Sequence, residues 1–106
     1  MPSQAIPDAP AESRIERVGA FHYQVQGAMT FETARVLLQQ SSALFGGQPE
    51  VEVDLSGVSR ADSAGLALLL EWMAEAAQRD ANLVLKGMPD ALQAVARLCQ
   101  VESLFE

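Results

Sequence analysis

The chain has 106 residues, a formal net charge of −7 and a 49% share of hydrophobic residues. That length suits one domain and leaves little room for a second, and the apolar share is enough for one core. A chain this acidic is repelled by phosphate backbones and anionic lipid, which argues against nucleic acid or a membrane surface as a direct partner. The single cysteine, Cys99, rules out an internal disulfide and fits a reducing compartment.

Residues 1–11 read MPSQAIPDAPA, with Pro2, Pro7 and Pro10 and no hydrophobic period. They are expected to form a disordered tail, with the domain over 12–106. No basic n-region or apolar h-region of a signal peptide is visible there. Arg14 to Val18 and Phe21 to Gln26 alternate as two strands of a hairpin, with Phe21, Tyr23 and Val25 on one face. Thr30 is expected to cap a helix carrying Phe31, Ala34, Leu37, Leu38, Ser41 and Phe45 at helical spacing, which Gly46-Gly47 ends. Val51 to Leu55 is a short strand, Ser56 to Arg60 a loop, and Ser63 opens a second helix reaching about Arg79. Its apolar run, Ala64 to Leu70, stops at Glu71, far short of the ~20 residues a membrane span requires, so direct membrane insertion is not expected. Asn82 to Lys86 is a strand. Pro89 starts a third helix with Leu92, Val95, Ala96 and Cys99 on its inner face, and Leu104 and Phe105 are expected to fold back on the core. The order β-β-α-β-α-β-α predicts one α/β domain: a mixed four-stranded sheet with parallel β-α-β crossovers and helices packed on it.

Little in the chain supports catalysis. Metal binding requires clustered His, Cys, Asp or Glu, and the one histidine and one cysteine are far apart in sequence. His22 reads as a solvated strand residue and Cys99 as core packing. Ser63 lies in no G-x-S-x-G elbow, and no G-x-x-x-x-G-K-[ST] phosphate loop is present. No catalytic residue, cofactor or metal is assigned, and an enzyme is not expected.

The informative stretch is VEVDLSGVSRADSAGLALLLEW, Val51 to Trp72. Asp62 or Ser63 can cap the free N–H groups of the second helix. Gly65 then stands in its first turn, where a helix with a good cap has no need of glycine, so its presence implies a close approach to the backbone. On a helical wheel Leu66, Leu69, Leu70, Met73, Ala76 and Ala77 face the sheet, and Glu71, Gln78 and Arg79 face away. Leu68 and Trp72 fall outside the core stripe. They are expected to form an exposed apolar pair beside Ala64, unless the first helix or the tail covers Trp72.

The run Asp54-Leu55-Ser56, a loop, then Asp62-Ser63-Ala64-Gly65-Leu66 resembles the signature of STAS domains. The resemblance runs from about residue 13 to 105, taking in the Gly27-Ala28-Met29-Thr30 turn and Leu83-Val84-Leu85-Lys86-Gly87 in order. Within that family, Val58-Ser59-Arg60-Ala61-Asp62-Ser63-Ala64-Gly65-Leu66-Ala67-Leu68-Leu69 is similar to the MlaB-type STAS subunit of the Mla phospholipid-transport system. That resemblance implies a cytoplasmic, non-enzymatic subunit, held at the inner membrane through the ATPase of an ABC transporter, which it binds and stabilises or regulates. The expected contact surface is Ser63 with Arg60, Asp62, Ala64, Gly65, Leu68, Glu71 and Trp72. The alternative within the family is an anti-sigma factor antagonist, whose motif position usually holds serine, as Ser63 does here. Ser63 would then be a phosphoacceptor for a partner anti-sigma factor serine kinase. An anion- or nucleotide-sensing module ranks last, because Arg60 is the one basic residue at that helix terminus.

Overall fold

In the computed structural model, which describes residues 13–105, the hairpin expected at the start is formed. Strand β1 (Arg14–Arg17) pairs antiparallel with β2 (His22–Met29), placing Ile15 opposite Val25 and Arg17 opposite Tyr23. The tail expected over residues 1–11 lies outside the described residues. Helix α1 (Ala34–Phe45), β3 (Glu50–Asp54), β4 (Val58–Ala61), α2 (Ser63–Gln78), β5 (Asn82–Lys86), α3 (Asp90–Leu98) and a 3-10 turn over Glu102–Phe105 follow. The mixed α/β sheet has five strands, not four: β1-β2-β3-β5 in order, with β4 also on β2. β3 and β5 run parallel to their neighbours, as β-α-β crossovers require.

The fifth strand comes from the segment expected to be a loop. β3 lies along the first half of β2, with His22 opposite Glu52 and Gln24 opposite Asp54. It then diverges, and β4 takes the same edge of β2 further along, with Gly27 opposite Val58 and Met29 opposite Ala61. The register shifts between those two pairs. Gly27 sits at this junction with φ of +92°, and its N–H donates to the Gly57 carbonyl at 3.1 Å. A side chain at Gly27 would be strained by that backbone and would also press on Ser13. Four residues reading Val-Ser-Arg-Ala carry no clean alternation. They are a strand because half of a long neighbour would otherwise leave its N–H and C=O groups unpaired.

The helices pack on one face of the sheet. Ile15, Tyr23, Val25, Met29, Val51 and Val53 are buried beneath them, while the alternate residues His22, Gln24, Gln26, Glu52 and Asp54 stay half-exposed on the other face. On that open face His22 Nδ1 lies 2.9 Å from Glu52 Oε2, and Lys86 Nζ lies 3.5 Å from the same oxygen. The His22 hydrogen bond holds the Glu52 carboxyl below its ordinary range, against an opposing desolvation effect and with a lesser contribution from the Lys86 charge. Asp54 is lowered as well, chiefly by the backbone N–H of Ser56, which donates to it at 2.9 Å. Carboxylates depressed in the folded state contribute stability at neutral pH, and that contribution is lost as pH falls through their folded pKa values.

Several positions differ from the sequence expectation. α1 begins at Ala34, with Thr33 as its N-cap rather than Thr30. Thr33 Oγ1 donates to the Ala28 carbonyl at 2.8 Å and accepts from Thr30 N at 2.9 Å, which ties residues 30–33 into a turn ahead of the helix. Phe31, expected within the helix, is therefore displayed on that turn at 82% exposure. Cys99 is exposed rather than in the core, because α3 has ended: Cys99 is its C-cap, and Gln100 turns the chain at φ of +61°. Phe105 packs against the core as expected, whereas Leu104 remains exposed.

The largest difference concerns α2. Its buried residues are Gly65, Leu66, Leu68, Leu69, Trp72 and Ala76, so Leu68 and Trp72 are core residues and form no surface patch. The buried arc is rotated by roughly 70° from the stripe read off the wheel at 100° per residue. The reason is that α2 has helical neighbours on both flanks, α1 and α3, as well as the sheet. The Phe45 ring of α1 lies edge-on to Trp72, with centroids 5.4 Å apart, and Tyr23 lies edge-on to Phe45 at 4.9 Å. On the side lost from the stripe, Met73 and Ala77 line an open groove of about 420 Å³ with Leu83, Leu85, Met88 and Phe105.

Candidate functional site

β2 and β4 run parallel side by side and end together, Met29 opposite Ala61. The two chain segments that leave them, toward α1 and α2, therefore emerge next to each other. Asp62 links them. Its backbone N–H donates to the Met29 carbonyl at 3.2 Å. Its Oδ1 accepts from Ala64 N at 2.9 Å and Gly65 N at 3.4 Å, and its Oδ2 accepts from Phe31 N at 3.1 Å. One carboxylate thus caps α2 and holds the turn before α1. Asp62→Ala is expected to cost about 1–2 kcal/mol, lowering Tm by roughly 5–15 °C. Asp62→Asn should lose less, because asparagine also caps well; thermal unfolding of the two variants checks this.

Gly65 is the second fixed point. A Cβ there would drive into the Met29 carbonyl oxygen and approach the Met29 Cβ at 2.9 Å. The close approach implied by a glycine in this turn is therefore made by the chain's own β2, not by an outside molecule. The first turn of α2 sits directly on the end of the sheet.

Because Asp62 does the capping, Ser63 is released from it. Ser63 is the first residue of α2 and is exposed, and its hydroxyl has no hydrogen-bond partner among the described residues. Arg60, on β4, is exposed without an ion pair among the described residues, and Glu71, two turns along α2, is exposed too. Ala64 is half-buried and Gly65 buried. The sequence-predicted site thus divides. Ser63, Arg60 and Glu71 are on the surface. Asp62, Ala64 and Gly65 build the platform under it. Leu68 and Trp72 lie beneath in the core. Phe31 joins the surface, an aromatic that the sequence reading placed within the first helix. The signal for it was local: Thr33 competes with Thr30 as the cap, and the later start leaves Phe31 outside the helix.

His22 opens β2, whereas Ser63 follows the strand paired with the far end of β2. At about 3.3 Å per strand residue the two are roughly 20 Å apart, so they form no nucleophile–base pair. No group of three or more metal-ligating side chains occurs among the described residues. No helix among them is long and apolar enough to cross a membrane.

No curated protein matches the chain. Among solved structures, one described as "Crystal Structure Analysis of Mglu" matches with a TM-score of 0.59 and 22% identity over 80% of this chain. Another, "Crystal Structure Analysis of Mglu in its native form", matches with a TM-score of 0.51 and 20% identity over 76% of this chain. These likenesses are in fold, and this chain spans only 22% and 25% of the length of those chains. The model of a STAS family described as "Mlab, STAS domain" matches residues 17–106. That match takes in every element from the β1–β2 turn through Asp62 and Ser63 to the 3-10 turn, so the chain belongs to the STAS-domain family, in its MlaB-like group.

Proposed function

We propose that the protein is a non-enzymatic cytoplasmic subunit that docks on the ATPase of an inner-membrane phospholipid ABC transporter of the Mla type. Contact is made with the N-terminal end of α2, centred on Ser63 and flanked by Arg60 and Glu71. The observation that carries the reading is the exposed Ser63 hydroxyl, left without a hydrogen-bond partner among the described residues at a helix start that Asp62 already caps. A hydroxyl with no structural duty on a rigid platform is suited to a bond across an interface. Membership in the MlaB-like group supports the choice of partner. Docking there stabilises or regulates the assembled ATPase and places the protein at the membrane without inserting into it.

The test is co-purification with the ABC ATPase encoded by the same genome. Ser63→Asp is expected to weaken binding at least tenfold, while Ser63→Thr retains it. A carboxylate at a helix N-terminus is favourable to folding, so the loss would not reflect unfolding. Equal binding by wild type and Ser63→Asp would remove this surface from the interface.

The same geometry supports a second reading, an anti-sigma factor antagonist switched by phosphorylation of Ser63. A phosphate at that position meets the helix dipole and would place about −1.5 to −2 charges on the surface, blocking a partner kinase from docking. Intact-mass measurement of protein from its native host distinguishes the two readings: a phosphorylated species that disappears in Ser63→Ala supports the antagonist.

A further inference from the structure

We infer that a second copy of this chain pairs with the free edge of β5, in an antiparallel β5–β5 contact whose two-fold axis passes at Val84. The two strands at the ends of the β1-β2-β3-β5 path differ in how their edges are protected. β1 reads Arg-Ile-Glu-Arg, and the N–H of its one apolar residue, Ile15, is already taken by Gln40 Oε1 of α1 at 2.7 Å. Charge and capture of an outer N–H are ordinary ways of blunting a sheet edge. β5 reads Asn-Leu-Val-Leu-Lys, has no proline and no bulge against β3, and bears a charge only at its last residue. Asn82 N donates to the Pro49 carbonyl at 2.9 Å and the Lys86 carbonyl accepts from Leu55 N at 2.8 Å, so Asn82, Val84 and Lys86 bond inward to β3. The N–H and C=O groups of Leu83 and Leu85 therefore turn outward, and they have no hydrogen-bond partner among the described residues.

A free edge offers bonds to any extended strand. This one is its own complement. With Val84 on the axis, Leu83 faces Leu85 of the second copy and Leu85 faces Leu83, and each pair exchanges both of its hydrogen bonds. A slip of one residue would set outward groups against inward ones and form none. On the open face of the sheet Val84 is level with Glu52 and 40% exposed, an apolar residue in a polar row. The axis packs it against Val84 of the second copy. Lys86 then stands opposite Asn82, so no like charges face each other, and the residue level with Asn82 on β3 is the acid Glu50. On the helix side Leu83 and Leu85 line the open groove with Met73, Ala77, Met88 and Phe105. Pairing brings the same two leucines of the second copy up to that groove, so apolar surface is covered on both faces of the new ribbon. None of these residues belongs to the surface proposed around Ser63.

Sedimentation equilibrium of the full chain over a range of concentrations tests the contact. Wild type is expected to dimerise. Val84→Lys sets two ammonium groups against each other across the axis and is expected to weaken dimerisation by about tenfold or more, with an unchanged unfolding curve. Val36→Lys makes the same charge change on α1, at a residue 39% exposed, and is expected to dimerise as wild type. Cysteine cross-linking in a Cys99→Ser background reads the register, and does so whether or not Val84→Lys folds. Position 84 meets itself within disulfide range, whereas position 82 lies roughly 13 Å from its copy, beyond that range. Val84→Cys is expected to cross-link and Asn82→Cys is not. A wild type that stays monomeric at every concentration, undiminished dimerisation of Val84→Lys, or an equal loss in Val36→Lys overturns the β5 contact. So does a Val84→Cys variant that cross-links no better than Asn82→Cys.

Discussion

Trp72→Ala is expected to remove about 3–5 kcal/mol of folding stability, the usual cost of truncating a buried tryptophan. For a domain whose total is of the order of 5–15 kcal/mol, that is a large part of it. Trp72 is 2% exposed and packs edge-on against Phe45, which packs edge-on against Tyr23. Removing the indole opens a cavity at the centre of the layer where α1, α2 and the sheet meet. Urea denaturation measures the loss. Trp72→Phe should cost much less: it keeps an aromatic ring in contact with Phe45, and the indole Nε1 it removes has no hydrogen-bond partner among the described residues. If Trp72→Ala unfolded at the wild-type urea midpoint, the burial of Trp72 would be wrong and the outward-facing reading would return. Loss of partner binding in Trp72→Ala carries no information about the interface, because the fold beneath it is damaged first.

Gly65→Ala is expected to lower stability by about 2 kcal/mol, lowering Tm by on the order of 10 °C. On an isolated helix the same change is favourable by up to about 1 kcal/mol. The sign reverses because the added methyl group meets the Met29 carbonyl, a backbone atom that cannot move without breaking the pairing of β2 with β4. A Tm equal to or above wild type would mean that α2 can lift away from the sheet end at no cost. Because Ser63 sits on this junction, the damage should extend to the proposed docking in proportion to the loss of fold.

How much of this was legible beforehand depended on whether a feature is local. The hairpin, the β-α-β crossovers and the Asp-Ser-x-Gly start of α2 follow from alternation, helical spacing and capping, which act over a few residues. Gly65 was recognisable as a close approach, though not what approaches it. Strand β4 was not legible, since Val58–Ala61 becomes a strand only where β3 leaves half of β2 unpaired. Phe31 was missed because two threonines compete to cap α1, and the hydrogen bonds of Thr33 to Ala28 and Thr30 decide the contest.

The chain's residues alone settle the α/β class, the family and the position of Ser63 at the head of a helix, because each is written in periodicity and in a short contiguous motif. Which side of α2 is inside they do not settle. A helical wheel finds the apolar arc but assumes one neighbour, whereas α2 has three, the sheet and a helix on either flank. With Phe45 covering it, Trp72 moves from the surface to the core, and with α1 starting late, Phe31 lies outside the helix on the surface. The docking surface proposed around Asp62-Ser63-Ala64-Gly65 is therefore smaller along α2 than the wheel implies. Across the strand ends, the carboxylate of Asp62 also holds the backbone of Phe31, a neighbour 31 residues away in sequence.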